Sequence, residues 1–111
     1  MINREMASQD DFRRLALALP DAEERAHMGH PDFRVGGKIF ATLQGAGKGT
    51  GAVMLLPEQQ ELAMAAEPAA FSPAAGAWGR GGATVVSLAE VSEEWLERVL
   101  DWAWAKQAPK R

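Results

Sequence analysis

The sequence predicts an α+β domain, a two-layer fold in which an antiparallel sheet carries its helices mainly on one face. Three observations lead there. Residues 8–19, "SQDDFRRLALAL", have the apolar spacing of a surface helix. Residues 32–43, "DFRVGGKIFATL", have the alternation and central glycine pair of a β-hairpin. Residues 92–106 open on a serine cap and continue with helical spacing. A chain of 111 residues is long enough for one hydrophobic core and too short for two, so residues 1–111 are read as a single domain.

In the first helix Ser8 is the expected cap, and Asp10 and Asp11 stand in the first turn, where the helix dipole favours carboxylates. Phe12, Leu15, Ala16 and Leu19 form one apolar stripe, and Pro20 stops the helix. The stretch "ERAHMG" is read as a short strand, and His30, preceding Pro31, as extended. Gly36 and Gly37 form a two-residue loop that supplies the positive φ a tight hairpin turn needs. In the strand that follows, a period of two places Ile39, Ala41 and Leu43 on one face and Lys38, Phe40 and Thr42 on the other. If helices cover the first face, Phe40 lies on an open one. "AVMLL" pairs back as a third strand. Pro57 opens a helix through about Ala66, with Glu58 and Glu61 near its start, and Pro68 ends it. Residues 68–82 read as a long irregular segment holding Phe71, Trp78 and Arg80, and "ATVVSL" as another strand. In the last helix Trp95, Leu96, Val99, Leu100, Trp102, Ala103 and Trp104 cover half the circumference or more, with Trp104 nearly opposite Trp95 and Trp102. Such a helix touches two layers, or its own domain on one side and a partner on the other.

Composition narrows the function classes. The chain has no cysteine, which excludes disulfides, thiolate nucleophiles and cysteine zinc sites and fits a reducing compartment. Its first residues, "MINREMASQDDF", carry acids where a signal peptide needs an apolar run, and no segment is apolar enough to span a bilayer. A cytoplasmic protein with no membrane partner is expected. The formal net charge is −3 and the pI about 5.3, which taken whole disfavours nucleic acid. The distribution is less uniform: acids concentrate at 5–24, 58–67 and 90–101, while Arg34, Lys38, Lys48 and Arg80 lie between with only Asp32 for company.

The glycine-rich "GAGKGTG" at 45–51 invites comparison with a phosphate-binding loop. That loop needs glycine five residues before Gly47, where Thr42 stands, and Ser or Thr after Lys48, where Gly49 stands; it also needs a following helix, where "AVMLL" reads as a strand. It is therefore a hairpin connection. Two readings stay open: a mobile wing whose Lys48 approaches a nucleic-acid backbone, and a plain solvent loop.

His27 and His30 are the only histidines. In extended chain, positions three apart face opposite sides of a strand, so this spacing argues against a shared metal ion, and no metal or other cofactor is expected. Ser8 and Ser92 read as caps, Ser72 precedes a proline and Ser87 lies in a strand; the paired carboxylates at 10–11, 23–24 and 93–94 suit helix starts or turns. With no G-x-S-x-G elbow either, an enzyme is not expected. Trp78 and Arg80 could stack on a base and meet a phosphate, or Trp78 could plug the core.

The segments "HPDFRVGGKIFATL" and "AWAKQAPKR", with the helix ending "ALP" and the stretch "LLPEQQELAMAAEP" between them, make the chain similar to the MmcQ/YjbR family over nearly its whole length. The resemblance implies a two-layer fold of the secretion-chaperone-like type and DNA binding through a double-wing arrangement of β-hairpins. The family pattern falls on Pro31, Phe33, Gly37, Lys38 and Phe40, of which Lys38 is the implied phosphate contact. DNA is thus the expected partner, met by Arg34, Lys38, Lys48, Trp78 and Arg80. The alternative is a protein–protein adaptor or small homodimer, using the open sheet face with Phe40 or the last helix with Trp104.

Overall fold

The three longer helices begin at a capping side chain or a proline. In helix α1 (Gln9–Leu17), Ser8 Oγ accepts from the Asp11 amide at 3.0 Å and the Asp11 carboxylate accepts from the Ser8 amide at 2.9 Å, a reciprocal cap. In α2 (Pro57–Ala66), proline holds the first turn and Gln59 Oε1 accepts from the Leu56 amide at 3.0 Å. In the long α4 (Glu93–Gln107), Ser92 Oγ accepts from the Trp95 amide at 3.2 Å. The computed structural model describes residues 7–43 and 49–109. Among them are also strands β1 (Glu23–His27), β2 (His30–Val35), β3 (Lys38–Leu43), β4 (Thr50–Met54), β5 (Phe71–Pro73) and β6 (Ala83–Ser87), and a short helix α3 (Gly76–Arg80).

The strands form one antiparallel sheet in the order β1-β2-β3-β4-β6-β5. Two tight turns build its first half. Gly36 and Gly37 have φ of 59° and 84°, the left-handed pair that a two-residue hairpin loop requires. Met28 and Gly29 do the same at 51° and 81°, so β1 and β2 form a second hairpin of the same kind, here with a non-glycine residue in the left-handed region. The segment at 68–82 is more ordered than the sequence predicts, since it contains β5 and α3. Gly82 makes this path possible: at φ 116° a side chain there would strike the Leu55 carbonyl. Gln60, buried on α2, donates from Nε2 to the carbonyls of Gly79 and Ala83, each at 3.0 Å, and so ties α3 and the start of β6 to α2.

The core lies between one sheet face and the helices. Phe12 and Ala16 of α1, Phe33, Ala41, Leu43, Val53 and Val86 of the sheet, and Leu96, Val99, Leu100 and Ala103 of α4 are all essentially inaccessible. Burial of each large member stabilises the fold by about 1.5–3 kcal/mol. No helix among the described residues is long and apolar enough to cross a membrane.

Phe40 corrects the expectation of an aromatic on the open face, for it is fully buried in this core. The register explains why. Phe33 pairs with Ala41 but Arg34 pairs with Ile39, so Phe40 is the extra residue of a β-bulge. A bulge breaks the two-residue alternation, and Phe40 and Ala41 both turn inward. Phe40→Ala should therefore act on stability, lowering it by about 3–5 kcal/mol in urea unfolding. Its sedimentation coefficient should match that of the parent chain, because no interface is removed.

Candidate functional site

Two polar constellations stand on the sheet, one along the β1–β2 hairpin and one where the β2–β3 turn meets α4. At the first, β1 and β2 hold a fully buried carboxylate, Asp32. Arg34 grips it with both arms of its guanidinium, Nε to Oδ1 at 2.8 Å and a terminal nitrogen to Oδ2 at 3.1 Å. His27 Nδ1 lies 2.7 Å from Oδ2. An ionised carboxylate only accepts, so His27 carries its proton on Nδ1 and keeps Nε2 as its unprotonated nitrogen. The Arg34 hydrogen bonds hold the Asp32 carboxyl below its ordinary value of 3.8; burial opposes them, and the His27 contact adds to them. Arg34 is raised in turn by the same carboxylate.

Two of the five guanidinium N–H groups of Arg34 are thus held by Asp32, and a phosphate at this residue would compete with that pair. His27 and His30 correct a second expectation. The intervening turn has only two residues, so the histidines are direct cross-strand partners, with ring centroids 6.2 Å apart in edge-to-face geometry. The opposite-faces argument holds along a continuous strand and fails across a hairpin turn. His30 Nδ1 is buried without a hydrogen-bond partner among the described residues. Among those residues no group of three or more His, Cys, Asp or Glu side chains is arranged to hold a metal ion.

At the second end the β2–β3 turn meets the end of α4 and the short helix α3. Gln107 Nε2 donates to the Ile39 carbonyl at 2.8 Å, which brings α4 beside Lys38. Lys106, Gln107, Met54, Ala83, Gly81 and Trp78 border a shallow cavity of about 220 Å³. Trp78 does not plug the core; it is 64% exposed. Arg80 stands on the same helix two residues on. Sequence reading singled out Lys38, Trp78 and Arg80 but missed Lys106, which looked like one more cation closing a helix.

The cations sort by end. Arg13, Arg14, Arg25, Arg34 and Arg98 each lie within 4 Å of an acid. Lys38, Arg80 and Lys106 are the described cations without an ion pair, all three are exposed, and all three belong to the second end. Lys48 lies outside the described residues. Since β3 runs from Lys38 to Leu43, its connection to β4 leaves the sheet at the end opposite the β2–β3 turn, about 20 Å away along a six-residue strand.

Trp104 is half-buried and tied down, its indole Nε1 donating to the Pro20 carbonyl at 2.8 Å. Beside it α1 and α4 form a groove of about 630 Å³, with Leu15, Ala18, Leu19 and Trp102 as its apolar lining and Glu94, Glu97, Arg98 and Asp101 along it.

The YjbR family profile matches residues 17–106. A crystal structure of a Deinococcus radiodurans protein carrying the DUF419 domain superposes with a TM-score of 0.74 at 20% identity, over 93% of this chain and 80% of that one. At that identity the likeness is one of fold. No curated protein matches the chain.

The buried carboxylate gives a pH prediction with a definite sign. Asp32 titrates lower in the folded protein than in the unfolded one, so its contribution is complete above its ordinary value of 3.8 and is lost as pH falls through the depressed value. Arg34→Ala removes the main cause of the depression and leaves the carboxylate buried with His27 alone. Its thermal midpoint should fall at neutral pH, and its acid-unfolding midpoint, followed by circular dichroism, should move to higher pH.

Proposed function

The chain belongs to the YjbR family, and from that premise we propose that it is a DNA-binding module, not a catalyst, whose contact surface is the sheet end formed by Lys38, Arg80, Lys106 and Trp78. The sorting of the cations carries this reading. Cations held by acids meet phosphates only in competition with an internal pair, whereas Lys38, Arg80 and Lys106 have no ion pair among the described residues and stand on elements that meet near the exposed Trp78. The overall charge of −3 then orients the complex, turning the acidic helices away from the phosphates. Phosphate contacts hold the backbone, and Trp78 supplies a ring on which an unpaired base can stack. The β2–β3 turn is the wing of this surface.

A second reading rests on the α1–α4 groove. Apolar side chains in a groove whose charged lining is three carboxylates and one arginine, Arg98, itself paired with Glu94, leave Glu97 and Asp101 to favour a basic amphipathic helix, laid in with its apolar stripe downward. This is the form in which an adaptor role through the last helix survives the burial of Phe40 and the anchoring of Trp104. A Lys/Leu amphipathic peptide should bind, and a scrambled peptide of the same composition should not; Glu97→Lys with Asp101→Lys should abolish the difference. Equal binding of the two peptides to the parent chain removes this reading.

Fluorescence anisotropy tests the DNA reading on a labelled duplex and a single strand of equal length. Three phosphate contacts give a log–log salt slope of roughly −2.7 on duplex, a loss of about forty-fold between 50 and 200 mM salt. Lys38→Ala with Lys106→Ala should flatten the slope by about two. Trp78→Ala should weaken the single strand by about 1–3 kcal/mol. No binding at low salt, or an unchanged slope in the double variant, overturns the proposal.

A further inference from the structure

We infer that His27 and His30 form a binding site for a late first-row divalent cation, with the two imidazoles as protein ligands and solvent in the remaining positions. The site is separate from the sheet end assigned to DNA and does not depend on it. The hairpin is what creates it. With Met28 and Gly29 both in the left-handed region, the two histidines face one another across the narrowest turn the chain can make. Their ring centroids stand 6.2 Å apart. Two imidazoles sharing one ion through metal–nitrogen bonds of about 2.0–2.1 Å stand roughly 5–6 Å apart, close to the separation found here; with His27 held by Asp32, the His30 ring is the one that turns to close the chelate.

The surroundings of each ring point the same way. His27 is held by Asp32 at 2.7 Å through Nδ1, the arrangement in which a carboxylate behind a histidine fixes its tautomer and leaves Nε2 free for a metal. Asp32 is not itself a ligand; both its oxygens are taken by Arg34 and His27, and it acts as a positioning residue. His27 is 42% exposed, which gives an ion a path in. His30 Nδ1 is buried and unpartnered, a cost that coordination would remove. Two nitrogen ligands and no available carboxylate select Cu²⁺, Ni²⁺ and Zn²⁺ over Mg²⁺ and Ca²⁺, and Cu²⁺ over the other two.

The test is calorimetric titration of the full chain with NiCl₂, ZnCl₂ and MgCl₂. One Ni²⁺ or Zn²⁺ per chain is expected, with no heat from Mg²⁺. His27→Gln and His30→Gln, both at the hairpin end and checked for folding by circular dichroism, should each weaken binding at least tenfold. Because the chain has only these two histidines, its imidazole resonances give a second readout on the unaltered protein: both should move on adding Zn²⁺. No heat up to millimolar Ni²⁺, an affinity unchanged in either variant, equal binding of Mg²⁺, or imidazole resonances that stay in place would each overturn the assignment.

Discussion

The docking of α4 across the middle of the sheet is the constraint on which the rest of the structure depends. Leu96, Val99, Leu100 and Ala103 close the core against β3 and β4, and α1 and α2 pack against the same helix. Apolar contact alone would let a helix slide by part of a turn; polar contacts at its two ends prevent that. At the start, the Glu67 carboxylate at the end of α2 accepts from the Ser92 amide at 3.0 Å and its hydroxyl at 2.6 Å. At the finish, Trp104 and Gln107 donate to the carbonyls of Pro20 and Ile39. These side chains satisfy partners that cannot shift with the helix, so its rotation is fixed as well as its position. The charge layout follows. The same rotation that buries Leu100 lays Glu94, Glu97 and Asp101 along the α1–α4 groove and brings Lys106 to the sheet end beside Trp78.

The elements legible in the sequence are those governed by local chemistry. Ser8, Pro57 and Ser92 marked helix starts because capping involves atoms within one turn, and Gly36–Gly37 marked a hairpin because few residue pairs adopt its dihedrals. The failures were of another kind. Phe40 was placed on the wrong face because a bulge is a property of two paired strands, and the period of two within β3 carries no trace of it. The β1–β2 turn was not recognised because Met28 is a poor residue for left-handed backbone and gives no signal of a turn. The candidate sites were legible as residues but not as groups. Lys38, Trp78 and Arg80 were visible one by one; their meeting with Lys106 depends on where α4 ends.

The buried Asp32 answers a problem that β1 poses. Every residue of β1 is exposed, so no apolar face chooses its register against β2. A slip of one residue would turn each side chain to the other face at little hydrophobic cost. Polar contacts make the choice instead. His27 reaches Asp32 at 2.7 Å only when it stands opposite His30, and Glu24 reaches Arg13 of α1 at 2.9 Å. A slipped strand would leave the buried carboxylate short of a donor, which costs far more than an exposed pair returns. A buried ion pair often adds little net stability over apolar residues of the same size, so its role here is specificity: one register, and through it one juxtaposition of side chains.

The two constellations thus use charge in opposite ways. Around Asp32, each charge is answered from within the chain, and the result is a fixed geometry in which the unprotonated nitrogen of His27 is aimed by the groups behind it. Around Trp78, Lys38, Arg80 and Lys106 are exposed and have no ion pair among the described residues. A cation already in a bidentate pair would have to exchange one partner for another, with little net gain on binding. A free cation loses only counterions and some side-chain freedom on meeting a phosphate. In a chain whose net charge is negative, the proposed contact surface therefore rests on the few described cations that no acid among the described residues holds.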